Sequence, residues 1–357
     1  MVNALLYARS NRIVELMEQP AERRDTDWMR EAAQQAVLLE LATLPPYLCG
    51  LWSIDASTGD GTVVDTLREI VFDEMSHFGL ACNLVTTLGG TPLLADETVV
   101  PRYPGPLPGG VRPELSVFLS GLSKDAVDMY SRIEEPDHPL VRAVAEHTSI
   151  GAFYTALLEA FRAHPERITG KRQLTLRMPH HGEGNDVVPL DTLAAVESAI
   201  DVIKEQGEGT SASPENPYPG AAGERAHFYA FREIFHERKL RKNPESGRWE
   251  FKGDRIEVPT ALPMGVVPEG GWPRTGPSAP DAETIQILDE FNQAYSDLLR
   301  ALEKPWQETD ASQAEDLLWV AVGQMSSLRD PATRLMARPV PGAGGATYGP
   351  EFRYVAP

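Results

Sequence analysis

The strongest constraint in this chain is a pair of apolar helical segments, each carrying an ionisable side chain on the stripe that has to face a core. The first begins after the capping-type cluster Asp25-Thr26-Asp27 and reads WMREAAQQAVLLELATL before Pro45 and Pro46, which are expected to kink or end it. On it, Glu40 has Ala36, Val37, Thr43 and Leu44 as its neighbours at three and four residues, which places the carboxylate among apolar groups. The second fits from about Thr62 to Leu88, with Leu67, Ile70, Val71, Phe78, Ala81 and Val85 on one stripe and Gly89-Gly90 as its stop. There Glu74 neighbours Ile70, Val71 and Phe78, and His77 neighbours Leu80 and Ala81. An isolated buried carboxylate costs several kcal/mol even after relaxation, so such groups are protonated, paired with a cationic side chain, or bound to a metal.

Residues three apart on a helix lie on one side, so Glu74 and His77 are spaced to reach one ion. This is the Glu-x-x-His unit of carboxylate-bridged di-metal bundles. The spacing occurs four times in the chain, so it needs sorting. Glu135/His138 encloses Pro136-Asp137 and reads as loop. Glu224/His227 continues into Phe228, Phe231, Ile234 and Phe235, an apolar stripe, whereas Glu233/His236 shares its surroundings with Arg232, Glu237 and Lys239, a solvated face. For one such unit a satisfied core histidine or an exposed ion pair is the commoner outcome. Two units on apolar faces of separate helices, with Glu40 on a third, favour a metal centre. A fourth helix from Leu140 to His164 is expected to face inward along Val144, Thr148, Gly151, Ala152, Thr155 and Glu159, leaving Glu159 as its one carboxylate in phase.

The rest of the chain reads as mostly α with long loops. Five prolines between Gly89 and Pro113, including PRYPGPLPGG, exclude helix and central strand there. Further helical patterns run over Leu190–Gln206, Gly223–Leu240, Ala282–Leu302 and Ala311–Ala337, and RWEFKGDRIEV suggests a hairpin turning at Lys252-Gly253-Asp254. The expected organisation is a single domain over 1–357, with a bundle core at 26–240, a hairpin and helices at 247–338 and a loop tail at 339–357. With 33 Lys and Arg against 52 Asp and Glu, the formal net charge of −19 argues against nucleic acid or an anionic membrane as partner. No stretch reads as a membrane span or signal-peptide core, so a cytoplasmic protein is expected. Cys49 and Cys82 lie in apolar helical patterns and read as buried free thiols.

With these residues in hand, the chain resembles the ferritin-like domain family of iminophenyl-pyruvate dimer synthases, the violacein-pathway type. The stretches that carry the likeness are LELATLPPYLCGLWSI, IVFDEMSHFGLACNLVTTLGGTP, PRYPGPLPGG, TSIGAFY, IKEQGEG and GERAHFYAFREI, with AVGQM and GPEFRYV near the end. The resemblance implies a ferritin-like four-helix bundle in which Glu40, Glu74, His77, Glu224 and His227 take the metal-ligand positions. Ala152 stands where the family pattern has Glu in a GEFY-like segment. It further implies an oxygen-dependent non-haem iron oxidoreductase acting on a small amino-acid-derived amine or imine in secondary-metabolite biosynthesis.

On this reading iron fills two sites, or one if Ala152 removes a ligand, and Mn or Zn are the alternatives. The partners are the small-molecule substrate, dioxygen and other pathway enzymes, with room for a homo-oligomer. Tyr47, Tyr154 and Tyr229 lie near the ligands in sequence and are candidates for substrate contacts, against aromatic core packing; His180 and His181 lie in a Gly-rich loop that is placed either at the mouth or in solvent. The rival reading is a single Zn or Mn ion, or none, in a non-redox imine condensation or an accessory role. Iron storage fits poorly with the long Pro-rich loops.

Overall fold

The computed structural model describes residues 11–136, 149–177, 186–219 and 223–357. After a short helix α1 (Arg12–Met17) come the two long core helices, α2 (Thr26–Ser53) and α3 (Thr62–Thr87), which pack along each other. Helices α4 (Lys124–Ile133), α5 (Ile150–Ala163), α6 (Leu193–Glu208) and α7 (His227–His236) follow. The pair α5·α6 closes on α2 and α3 to complete a four-helix bundle, and the pair α4·α7 packs at its side. Helices α8 (Ala282–Glu303), α9 (Ala311–Met325) and α10 (Arg329–Met336) form a C-terminal layer, of which α10 rests on α2.

Three of the four bundle helices start at a side-chain cap. Asp25 accepts from the amides of Asp27 and Trp28 to cap α2, Ser149 accepts from Ala152 to cap α5, and Thr192 accepts from Ala195 to cap α6. Ser123 caps α4 in the same way through the amide of Ala126. A cap followed by Val127, Tyr130 and Ile133 on one face marks α4 in the sequence as well.

Pro45 and Pro46 neither end α2 nor stand at its edge. Pro46 has no N–H to offer the carbonyl of Ala42, four residues back. That carbonyl instead accepts from the buried Tyr103 hydroxyl at 2.7 Å, and the carbonyl of Pro46 accepts from Tyr130 at 2.8 Å. The Tyr103 hydroxyl thus takes the place of the donor missing at Pro46, and the helix continues to Ser53. By length and apolar composition α2 would also suit a bilayer span, contrary to the sequence reading, but here it is almost wholly buried as the central helix of the bundle.

Three other expectations are corrected. The hairpin pairs β1 (Arg241–Lys242) with β2 (Trp249–Glu250), so the turn lies at 243–248 and not at Lys252-Gly253-Asp254, whose glycine amide bonds instead to the carbonyl of Lys239. The last helical pattern is broken at 326–328 into α9 and α10. Of the segment expected as helix from Leu140 to His164, 149–164 lie among the described residues, and α5 occupies Ile150–Ala163. Asn83 on α3 ties the parts together: its amide donates to the carbonyls of Leu174 and Val188, and its oxygen accepts from the Leu174 amide and from the Trp306 indole.

Tyr103→Phe leaves the Ala42 carbonyl buried without a donor and is expected to lower stability by about 1–3 kcal/mol. Urea denaturation checks this; an unchanged midpoint would contradict the role given to Tyr103.

Candidate metal centre

Six ionisable side chains from three helices and one helix end converge in the core. Glu40 comes from α2, Asp73, Glu74 and His77 from α3, Glu134 from the residue after α4, and His227 from the first position of α7. All are buried, His77 and His227 to 1 % exposure. Two groups of ligand atoms form, Glu40/Glu74/His77 and Glu74/Glu134/His227, in each of which the atoms lie within 4.8 Å of one another. Glu74 belongs to both.

The imidazoles are arranged alike. His77 Nδ1 lies 3.6 Å from Glu74 Oε1 and 3.7 Å from Glu40 Oε2, while its Nε2 is 2.8 Å from Gln206 Oε1. The Gln206 amide NH2 faces two acceptors, Asp73 Oδ1 and the carbonyl of Tyr218. Its oxygen is therefore the atom presented to His77, so Nε2–H donates and Nδ1 is left with its lone pair inward. His227 Nε2 likewise donates to Asp73 Oδ2 at 3.0 Å. Its Nδ1 has no hydrogen-bond partner although Glu74 Oε1 is 2.9 Å away and Glu134 Oε2 4.0 Å away. A bare ring nitrogen facing carboxylate oxygens in a buried site is satisfied by a cation between them, and outer groups that fix the far nitrogen are what metal-ligating histidines carry.

The carboxylates are oriented in the same manner. Thr43 donates to Glu74 Oε2 at 2.7 Å, Tyr47 to Glu134 Oε1 at 2.5 Å, and Tyr154 to Glu40 Oε1. Burial and the charge of Glu74 push Glu40 up to about 8, and the same two causes push Glu134 up to about 7. Burial acts to raise Glu74 too, but the adjacent imidazoles of His227 and His77 hold it below the ordinary carboxylate range. His77 is lifted to about 9, its desolvation outweighed by Glu74 and Glu40, and His227 is lifted well above its usual value by Asp73 and Glu74 against the same desolvation. These shifts describe a site short of positive charge. Lys204 on α6 is the one lysine or arginine lining the adjoining cavity, and it bonds Thr155.

That cavity is about 20 Å³, room for roughly one water molecule or small ion. Its wall includes Glu40, Thr43, Glu74, His77 and Glu134 on the inside, and Gly151, Lys204 and Glu208 toward the half-exposed end of α6. Glu208 accepts from the amide of Gly151 at 2.8 Å, and a Cβ on Gly151 would collide with that carboxylate.

The structure thus brings together Glu40, Glu74, His77 and His227, and leaves out two residues named from the sequence. Glu159 is on the surface, its side chain 62 % exposed and near Arg24. The phase assumed for α5 was wrong: Phe153, Tyr154, Leu157 and Phe161 face the core, and Ala152 is only half-buried. Glu224 belongs to neither group, because α7 begins at His227 and Ala226 is extended, so the helical three-residue relation does not exist there. Glu224 instead lines a separate polar cavity with Glu69 and Asp73. Nor is Glu233 on a wet face; it is buried and accepts from the amide of Leu240 and from Lys239.

Tyr47 and Tyr154 donate to site carboxylates, while Tyr229 packs edge-on against Phe228 in a second small cluster. His138 and the pair His180/His181 lie outside the described residues. Glu134, Asp73 and Gln206 were missed. For Glu134 a signal exists in its place directly after the buried Ile133 of α4. Asp73 and Gln206 act through histidines distant in sequence, which no local pattern reveals.

An all-helical bundle with buried carboxylates and imidazoles between its helices is the architecture of the ferritin-like proteins. The ferritin-like family profile matches residues 33–236, and the chain belongs to that family. A crystal structure of a ferritin-like protein from Caulobacter vibrioides aligns with a TM-score of 0.59 over 92 % of this chain and 97 % of that one, at 21 % identity. No curated protein matches. The two ligand groups fit a metal cofactor, with Glu40 and His77 at one position, Glu134 and His227 at the other, and Glu74 between them.

Two outcomes follow. Glu134→Gln is expected to lower metal stoichiometry while Glu224→Gln leaves it unchanged, as read by elemental analysis; the reverse order would overturn the ligand assignment. Because the raised carboxyls and imidazoles hold protons that a cation must displace, metal affinity is expected to rise as pH goes from 6 to 9, with protons released on binding in weakly buffered solution. Affinity that is flat over this range would contradict the electrostatic picture.

Proposed function

We propose that the protein is an oxygen-dependent oxidoreductase with two non-haem iron ions, acting on a small amino-acid-derived amine or imine in the cytoplasm. The observation that carries this is the sharing of Glu74 between two imidazole–carboxylate groups in a dry interior. Hard carboxylate oxygens combined with imidazole suit Fe(II) or Mn(II). The resemblance to the iminophenyl-pyruvate dimer synthase branch of the ferritin-like proteins supports placing the reaction in secondary-metabolite assembly.

Bound iron would supply electrons for dioxygen reduction; the protein's own residues do the rest. Thr43 holds one oxygen of Glu74, leaving the other between the histidines. Tyr47 and Tyr154 keep their protons, their phenols being raised by burial and by Glu134 and Glu40 respectively, and so fix those carboxylates as donors. The small inner cavity admits a diatomic gas or water but excludes bulk solvent. Lys204 and Glu208, one turn apart at the half-exposed end of the cavity, present opposite charges that match a substrate bearing both a carboxylate and an amine.

The rival reading, one Zn or Mn ion in a non-redox condensation, rested on the missing carboxylate at Ala152. Glu134 supplies a carboxylate from another element, and this favours two ions.

Protein isolated anaerobically is expected to carry about two iron atoms per chain and to consume dioxygen when given an oxidisable amino acid or its imine. One zinc per chain with no oxygen uptake would sink the proposal. Lys204→Met is expected to raise KM for a carboxylate-bearing substrate about tenfold with kcat little changed; an equal loss in kcat would place Lys204 in the chemistry instead.

A further inference from the structure

A second cavity lies on the opposite side of α3 from the metal centre. Successive residues on a helix are about 100° apart. Glu74 and His77 therefore point to one side, while Arg68, Phe72, Met75 and Gly79 point away from them into a pocket of about 330 Å³. Its other walls come from Leu48, Leu51 and Trp52 on α2 and from the C-terminal layer, notably Trp306, Leu318 and Val322. The volume is at the lower end of what small-molecule sites occupy. The α3 backbone separates it from the ligand atoms, so a molecule seated there does not reach the metal centre.

The chemistry of the walls is one-sided. Apart from two serines, two arginines and a glycine, they are aliphatic, aromatic or thioether, and of these serines Ser76 already bonds the carbonyl of Phe72. Met75 and Met325 give the pocket surfaces that adapt to the shape of an apolar guest. The only charged groups lining it are two arginines. Arg68 pairs with the exposed Asp65, but the guanidinium of Arg329, at the start of α10, is exposed and makes no ion pair or hydrogen bond among the described residues. In a chain of net charge −19, two guanidinium groups and no carboxylate around an apolar pocket form a local reversal of sign.

We infer that this pocket binds an apolar monocarboxylate, its hydrocarbon or aromatic body between α3 and the C-terminal layer and its carboxylate on Arg329. Guanidinium matches a carboxylate in a bidentate fashion, and a body of this kind gains from leaving water. The inference does not depend on the metal or on the reaction proposed above. Because α10 packs on α2 and its first residue lines this pocket, the guest would brace the C-terminal layer against the bundle.

The probe is decanoate, titrated by calorimetry into the full chain and followed by fluorescence of Trp52 and Trp306, with decan-1-ol as the neutral comparator. The expected result is one saturable site per chain and altered tryptophan emission. Val322→Trp should weaken binding at least about tenfold by filling the pocket, with metal content unchanged. Should that variant fold poorly, Ser326→Trp at the exposed rim tests the same point. Arg329→Gln should weaken decanoate but leave decan-1-ol unaffected. Absence of saturable binding, or binding indifferent to both filling variants, overturns the site; equal affinity for both ligands with no effect of Arg329→Gln overturns the carboxylate specificity.

Discussion

Everything in this bundle depends on the cost of holding ionised groups away from water. Four carboxylates, Asp73, Glu40, Glu74 and Glu134, and two imidazoles share one buried region, and among the described residues no guanidinium or ammonium pairs with any of them. Each uncompensated charge costs several kcal/mol, and a structure stable by only about 5–15 kcal/mol cannot carry four. Protons alone offset part of this, which is what the raised carboxyls of Glu40 and Glu134 express. Two divalent cations offset it more completely, since three carboxylates lie directly against the two ligand groups and the fourth is bonded to a histidine. The surrounding architecture serves that arrangement. Threonine and tyrosine hydroxyls hold carboxylate oxygens, Gln206 and Asp73 hold the outer nitrogens, and Tyr103 repairs the helix where two prolines would otherwise break it just beyond Glu40.

This distribution of effort explains what could be read from the chain and what could not. Glu40, Glu74 and His77 were legible because each sits mid-helix, where a 3.6-residue period decides which face a side chain takes, and three or four flanking apolar residues declare that face buried. His227 was legible for the wrong reason: the apolar stripe after it is real, but the helix does not extend back to Glu224. Helix ends are where periodicity fails, and both Glu224 and Glu134 sit at one. Glu159 was misplaced by a phase error on α5, a helix so rich in small and apolar residues that Ala152, Thr155 and Gly151 offered no contrast between faces. The mostly helical, ferritin-like fold rested on long amphipathic segments and was readable, whereas the hairpin register turned on pairings that local sequence does not encode.

Helix α3 emerges as the organising element, with two faces of different chemistry. One presents Asp73, Glu74 and His77 to a void that holds little more than a water molecule. The other presents Phe72, Met75 and Gly79 to a larger apolar space closed by the C-terminal helices. The polar face is closed by helices α2, α5, α6 and α7 and by the end of α4, whose residues bond to the site directly. The apolar face is closed by α8, α9 and α10, which touch none of the ligands. The C-terminal layer therefore has no part in holding the metal centre, and its persistence in the fold is accounted for by burial of the outer faces of α2 and α3.

The central claim is that the two buried groups are the two halves of one di-metal centre bridged by Glu74. Anomalous diffraction from crystals of anaerobically prepared protein, collected on either side of the iron absorption edge, tests it most directly. The account predicts two iron peaks roughly 3.5–4 Å apart, both within bonding distance of Glu74, one beside His77 and one beside His227. A well-ordered bundle with no anomalous density between these histidines, after loading with excess Fe(II), would contradict it.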